Sequence, residues 1–266
     1  MSVLPDFQHH RPTELEEALA LISFDSPPYA GGTELLLAMK AGLFRPDALV
    51  DLKRVSELRR IRDGEEWLEV GGGTTHQAVI DDPVVERSIP SLPHVLRTVG
   101  NPRVRSAGTL GGNLCFAEPK SDVGTMLIAL EAEVELRSAE SSRRVAVSDF
   151  IVGPYTTTRE EDEILTSIRI PSRGRRPAVY VKYQTMERPT AGVAAAITST
   201  GRCRVVVGAV GGLPEIYEAP SPEETDVAEI AASVEVIPDL TGSDRYKRHI
   251  VSIYVADALR SLQELQ

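Results

Sequence analysis

The chain has 266 residues, with 29 Lys+Arg against 39 Asp+Glu and a formal net charge of -10. A hydrophobic share of 42% and a charged share of 26% exclude wholesale disorder and supply core for one large domain or two modest ones. The acidic balance argues against a nucleic-acid partner. Two cysteines, Cys115 and Cys203, cannot furnish the four thiolates of an iron–sulfur cluster or a cysteine-only zinc site. The N-terminus lacks the basic start and apolar run of an export signal, and the longest uncharged stretch, Pro189 to Gly201, is too short to span a bilayer. The expectation is a cytoplasmic protein with no transmembrane segment.

Residues 11–23 have apolar 3/4 spacing at Leu15, Ala18, Leu19 and Ile22, which predicts a helix capped by Thr13. Pro27-Pro28 stops it. The run Ala30-Gly31-Gly32-Thr33 then leads into a short helix, with Thr33 as cap and Gly42 as its end. Residues 48–52 and 66–71 read as strands, separated by a basic patch from Lys53 to Arg62. Gly71-Gly72-Gly73 opens a helix over 75–81. Residues 100–122, dense in Gly, Asn, Ser and Pro with apolar residues interleaved, predict a long loop of special geometry. A helix at 122–130 follows, then strands at 131–137, 143–147 and 163–170. The run from Pro171 to Pro177 is the best domain boundary. Beyond it lie strand-like runs at 178–185, 192–199 and 203–210, then a stretch from Glu215 to Asp244 without Lys or Arg, containing a surface helix at 222–233. A last helix over 244–264 carries Ile250, Ile253, Tyr254, Ala258 and Leu259 on one face.

Two glycine loops carry the chemistry: Ala30-Gly31-Gly32-Thr33-Glu34 and Thr109-Leu110-Gly111-Gly112-Asn113. Glycine lets a ligand approach backbone N–H groups closely, and the first loop runs into a helix N-terminus, where an anion is favoured. Either Gly-Gly can also be a simple turn. Two such loops from different parts of the chain suit the two phosphates of a dinucleotide. No G-x-G-x-x-G follows a strand and no Walker-type run occurs, so Rossmann and P-loop readings lack support. Asp122 suits a sugar diol, or else a helix cap. Lys182 reads as a ligand contact or as an exposed strand lysine.

The runs YAGGTELLLAMK (29–40) and VRSAGTLGGNLCFAEPKSD (104–122), with GGGTTH (71–76), DEILTSIRIP (162–171), VKYQ (181–184), VVVGAVGG (205–212) and RYKRHIVSIYVADAL (245–259), resemble the FAD-binding medium subunits of molybdenum hydroxylases. That family includes carbon monoxide dehydrogenase and the FAD domain of xanthine dehydrogenase. The resemblance implies an α+β fold: a two-lobed FAD-binding domain of the PCMH type over 1–172, with its lobes divided near 53–62, and a small α+β C-terminal domain over 177–266. It implies FAD cradled by Ala30, Gly31, Gly32, Thr33, Glu34 and Leu35, and by Thr109, Leu110, Gly111, Gly112 and Asn113. Asp122 would hold a ribose or ribityl hydroxyl, Leu165 and Lys182 would flank the ring or the adenosine end, and Val99 would sit near the isoalloxazine. The molybdenum cofactor and [2Fe-2S] clusters would belong to a large and a small partner subunit, in a dimer of heterotrimers. No side chain need act as acid or base.

Relatives often carry Gln and Asn where Arg103 and Ser106 stand, and xanthine dehydrogenase-like chains an acidic pair at Pro189 and Thr190, so NAD is not indicated as electron acceptor. The first loop lacks the histidine of covalent-FAD relatives, which implies non-covalent FAD. The alternative, a stand-alone FAD/NADPH-dependent reductase of the same fold, needs a general acid that the sequence does not offer. A third, an assembly protein without flavin, is opposed by the intact glycine loops. His9, His10, His76, His94 and His249 show no metal-ligand spacing, and His76 reads as helix surface or a loop contact. Cys115 reads as a small buried hydrophobe. Arg173, Arg175 and Arg176, and the acidic 215–244 stretch, read as solvated surface or as faces toward a partner.

Overall fold

Parallel pairing sets the N-terminal block, in a computed structural model that describes residues 4–174 and 176–265. Strand β1 (Gln8–His10), helix α1 (Leu15–Leu21), strand β2 (Pro28–Tyr29), helix α2 (Leu35–Lys40) and strand β3 (Ala48–Asp51) follow one another. The strands pair in the order β1-β3-β2, all parallel, which requires crossover connections; those carrying α1 and α2 supply them. Leu15, Ala18, Leu19 and Ile22 bury their stripe against Val50, Leu52, Val55 and Leu58. Thr13 does not cap α1: the helix begins after Glu14, and the Thr13 N–H donates to Glu17 Oε2 at 3.1 Å. Thr33 does not cap α2 either. Glu34 holds the cap position, and no side-chain cap hydrogen bond closes this helix start.

The central block is antiparallel. Strands β4 (Ile61–Asp63) and β5 (Trp67–Gly71) are followed by helices α3 (His76–Asp81), α4 (Pro83–Ser88), α5 (Ser91–Arg97), α6 (Pro102–Ala107), α7 (Leu110–Phe116) and α8 (Asp122–Ala129). Then come β6 (Glu133–Arg137), β7 (Ser142–Ala146), the short α9 (Val147–Phe150), the hairpin β8 (Ile151–Gly153) and β9 (Thr156–Thr157), and β10 (Ile164–Pro171). The sheet order is β4-β5-β10-β6-β7. Alternate residues Leu68, Val70, Val134, Leu136, Ile168 and Ile170 meet Leu92, Leu96, Leu114, Met126 and Leu127 of the helices in the main core.

The long loop expected over 100–122 is instead largely helical. Asn101 Oδ1 accepts from the N–H groups of Arg103 and Val104 at 3.0 and 3.1 Å, and Pro102 opens α6. Thr109 Oγ1 accepts from Gly112 N at 3.1 Å and opens α7, which ends at Ala117 in the left-handed region, φ 49°. Two of the four glycines that suggested a loop, Gly111 and Gly112, lie inside that helix.

Beyond Pro171, β11 (Ala178–Tyr183), β12 (Ala191–Ile197), β13 (Cys203–Gly208) and β14 (Glu215–Ala219) form an antiparallel sheet in sequence order, followed by α10 (Val227–Ser233) and α11 (Asp244–Gln263). Both faces of this sheet are covered. Ala191, Val193 and Ala195 of β12 face α11, whose Ile250, Val251, Val255, Leu259 and Leu262 complete a second core. Ala194 and Ala196, on the other face, join the main core with α8. Of the face expected for the last helix, Ile253 is half-exposed and the stripe runs instead through Val251, Val255 and Leu262. The acidic stretch holds the strand β14 as well as a helix. Some of its charges are used internally: Glu218 pairs with Arg204 at 2.6 Å, and Asp239 with Lys120 at 2.7 Å and Lys247 at 3.0 Å. Of the arginine run, Arg173 pairs with Glu66 at 2.9 Å, Arg176 bonds Glu131, and Arg175 lies outside the described residues.

Candidate functional site

A cleft of about 790 Å³ opens where the three blocks meet. The first glycine loop forms one wall and the residues linking α5 to α6 another. The starts of α7 and α8 form the floor, and β11 with the turn after it closes the far side. Ala30, Gly31, Gly32, Thr33, Glu34, Leu35, Val99, Thr109, Gly112, Asn113, Asp122 and Lys182 all line it.

Gly31 cannot carry a side chain: a Cβ there would stand 2.2 Å from Ala107 O and 2.7 Å from Gly108 Cα. The first loop therefore rests directly on the backbone that leads into the second. Gly32 takes φ +67°, where an L side chain is strained. Among the described residues, the backbone N–H groups of Gly31, Gly32, Thr33 and Glu34 have no protein hydrogen-bond partner. Clustered free amides on a wall of a cleft suit an anion.

The second loop differs from expectation. Its amides are spent within the protein: Leu110 N donates to Thr74 O at 3.0 Å, Gly111 N to Gly72 O at 2.9 Å, Gly112 N to Thr109 Oγ1 at 3.1 Å and Asn113 N to Thr109 O at 3.0 Å. What it offers the cleft is the bare Cα of Gly112 and the side chains of Thr109 and Asn113. Asn113 Oδ1 accepts from Ser121 Oγ at 2.7 Å, so its NH₂ donors remain for another acceptor. Leu110, Gly111 and Leu165 do not line the cleft. Leu110 and Leu165 are core residues, and Gly111 is pressed onto Gly72, whose O would stand 2.7 Å from a Cβ.

Ser121, not Asp122, caps α8, its Oγ accepting from Gly124 N at 3.3 Å. The Asp122 carboxylate is thereby free for other partners. Oδ1 accepts from the Tyr180 hydroxyl at 2.5 Å and Oδ2 from Lys182 Nζ at 2.9 Å. Lys182 is largely buried, and its Nζ also donates to Thr98 O at 3.1 Å. Each carboxylate oxygen keeps a lone pair and the ammonium keeps one N–H, the donor and acceptor set that a sugar hydroxyl needs. The ion pair also cancels a charge that would repel a neighbouring phosphate.

Arg188 and His76 also line the cleft, and Tyr180 is buried behind it; the sequence assigned none of the three to the site. Arg188, after β11, bonds Glu34 of the glycine loop and ties opposite walls together. His76 is 3% exposed, in contact with the loop at Gly108 rather than on helix surface, and its Nδ1 has no partner. Burial and then the Arg105 charge push its pKa down to about 4, so it is neutral at pH 7. Tyr180 could have been found from its position two residues before Lys182, which puts both on one strand face. Cys115 also lines the cleft, and burial pushes its thiol up to about 11, in keeping with an inert packing role.

Free amides on one wall and a neutralised carboxylate across the floor define a cleft for a nucleotide cofactor. The comparisons name that class further. Residues 5–173 match the family described as "FAD binding domain in molybdopterin dehydrogenase". The glyceraldehyde dehydrogenase medium chain of Sulfolobus acidocaldarius is 29% identical over 97% of this chain and 99% of its own. The nicotine 6-hydroxylase medium subunit of Paenarthrobacter nicotinovorans is 31% identical, over 93% and 94%. Among solved structures, carbon monoxide dehydrogenase from Hydrogenophaga pseudoflava matches with TM-score 0.90 at 28% identity, covering 98% of this chain and 99% of that one. The chain belongs to the family of FAD-binding domains of molybdopterin dehydrogenases, and it is the FAD-binding subunit of an oxidoreductase of the molybdenum hydroxylase type.

Proposed function

We propose that this chain is the electron-carrying medium subunit of a molybdenum hydroxylase, taking electrons from iron–sulfur clusters on a small subunit and delivering them to an external acceptor. The observation that carries the reading is the pairing, in one cleft, of the free Gly31–Glu34 amides with the Asp122–Lys182 pair. These groups fit FAD: the amides answer a diphosphate and the carboxylate a sugar hydroxyl. Thr109, Gly112 and Asn113 give the diphosphate a close, donor-bearing floor, and Val99 an apolar contact for the ring. Leu110, Gly111 and Leu165 act behind this surface, holding the α7 start against Gly72 and the central sheet. When bound, FAD supplies the redox chemistry of both one- and two-electron steps. The chain binds it, orients it and limits its exposure to water; no side chain need transfer a proton.

The first loop has no histidine, so the FAD is non-covalent. Two cysteines cannot hold the clusters; in this reading a small subunit carries them and a large one the molybdenum cofactor. Relatives named medium chains or medium subunits support that division. The assembly is a cytoplasmic dimer of heterotrimers. Residues 1–172 form the FAD-binding domain and residues 177–266 the C-terminal domain.

Purified chain should be yellow and release FAD on acid denaturation. Colourless protein that takes up no added FAD would overturn the reading. Affinity purification from the native host should bring down chains containing molybdenum and iron.

A further inference from the structure

Gly192 has no backbone reason to be glycine. It lies inside β12, paired with Lys182 on one side and Gly208 on the other, and its φ is not positive. Glycine in a strand interior is unfavourable relative to residues with a Cβ. Its neighbours on the same face, Ala194 and Ala196, both carry one. The space a Cβ would need at Gly192 is taken by the Tyr180 hydroxyl, 2.2 Å away. That hydroxyl is aimed at Asp122 Oδ1.

The Tyr180 ring fills part of the main core, a task phenylalanine would perform equally well. The hydroxyl is what differs, and what it does is hold one oxygen of a carboxylate on the cleft floor. Lys182, two residues along the same strand, holds the other. A single flexible ammonium fixes a charge but not a plane. Two donors on two oxygens fix the plane, and so the direction of the remaining lone pairs.

We propose that Tyr180, seated by Gly192, is a positioning residue that orients the Asp122 carboxylate toward a sugar hydroxyl of FAD, so that the C-terminal sheet completes the cofactor site. This rests on the FAD reading above. It means that the cofactor grip is shared between the matched segment 5–173 and a sheet that follows it.

The test uses the full chain stripped of flavin, with dissociation constants for FAD measured for wild type, Tyr180→Phe, Asp122→Asn and the double variant. Tyr180→Phe should weaken FAD binding about tenfold, the scale of one hydrogen bond to a charged group. In the Asp122→Asn background the same change should have little further effect. ADP and FMN separate the two sugars: the loss appears with ADP if the hydroxyl is on the ribose, and with FMN if it is on the ribityl chain. Should Tyr180→Phe not fold, Gly192→Ala, which displaces the hydroxyl and keeps the ring, carries the same measurement. Wild-type FAD binding with Tyr180→Phe within twofold of it overturns the proposal, as do losses that simply multiply in the double variant. A wild-type chain that binds no FAD sinks the earlier reading instead.

Discussion

At His76 an imidazole lies enclosed under Gly108, whose Cβ would stand 3.2 Å from the ring, with the Arg105 guanidinium adding its charge. Burial first, and Arg105 second, bring its pKa from 6.5 to about 4. The folded state therefore refuses a proton that the unfolded state accepts. Stability is unaffected above pH 6.5 and falls as pH drops from 6.5 toward 4, by up to about 3 kcal/mol. His76→Gln should flatten that slope in urea unfolding between pH 6.5 and 4.5; an unchanged slope would refute the assignment. None of this was readable in the GGGTTH run, because nothing local to that sequence says that Gly108 will cover the ring. For Asp122 the sequence leaves a sugar contact and a helix cap both open, and the cap role goes to Ser121, one residue earlier.

Helix α7 shows how two adjacent glycines serve different ends. A Cβ on Gly111 would meet Gly72 O, Cα and C at 2.7 to 3.1 Å, all backbone. A Cβ on Gly112 would meet only Thr109 Oγ1, at 2.8 Å. Gly111→Ala should thus cost about 1–3 kcal/mol in chemical denaturation, as overpacking against rigid atoms does. Gly112→Ala gains about 1 kcal/mol of helix propensity and loses a similar amount of capping. It should leave stability nearly unchanged and weaken FAD binding, since Gly112 lines the cleft. Equal effects of both variants on unfolding would show that this division is wrong. The same glycines explain why the sequence predicts a loop here. Helix interiors usually exclude glycine, whereas this one needs it to approach Gly72. Strands β10 to β13 were legible to within a few residues because short, largely apolar runs bounded by turn residues read as buried strands. Thr13 and Thr33 do not act as caps because both helices start after the following glutamate, and a helix start is not fixed to one residue by local composition.

Across the whole molecule, the cleft depends on the central helices staying docked on the C-terminal sheet, and charges at two points secure that docking. Glu131, just past α8, accepts from Arg176, from Ser199 N at 2.6 Å and from Ser199 Oγ at 3.1 Å. Asp239, between α10 and α11, joins Lys120 beside the cleft to Lys247. The arginine run after β10 was expected to be solvated or to face another subunit, yet Arg176 works inside the chain. Sequence gives charges but not which distant carboxylate will meet them. Burial alone would raise both carboxyl groups, and their hydrogen bonds more than offset it, so both sit below the usual range. The contribution of such depressed acids is present above the unfolded values near 4.5 and 3.8 and is lost as pH falls through the lower folded ones. Acid should therefore loosen the docking of α8 on the sheet in addition to the His76 effect. FAD bound between them should then leave, seen as a rise in flavin fluorescence, before helical circular dichroism is lost. Glu131→Gln with Asp239→Asn should move that release to higher pH by removing the ionised partners in advance. Release that coincides with global unfolding in both proteins would show instead that the three blocks melt as one.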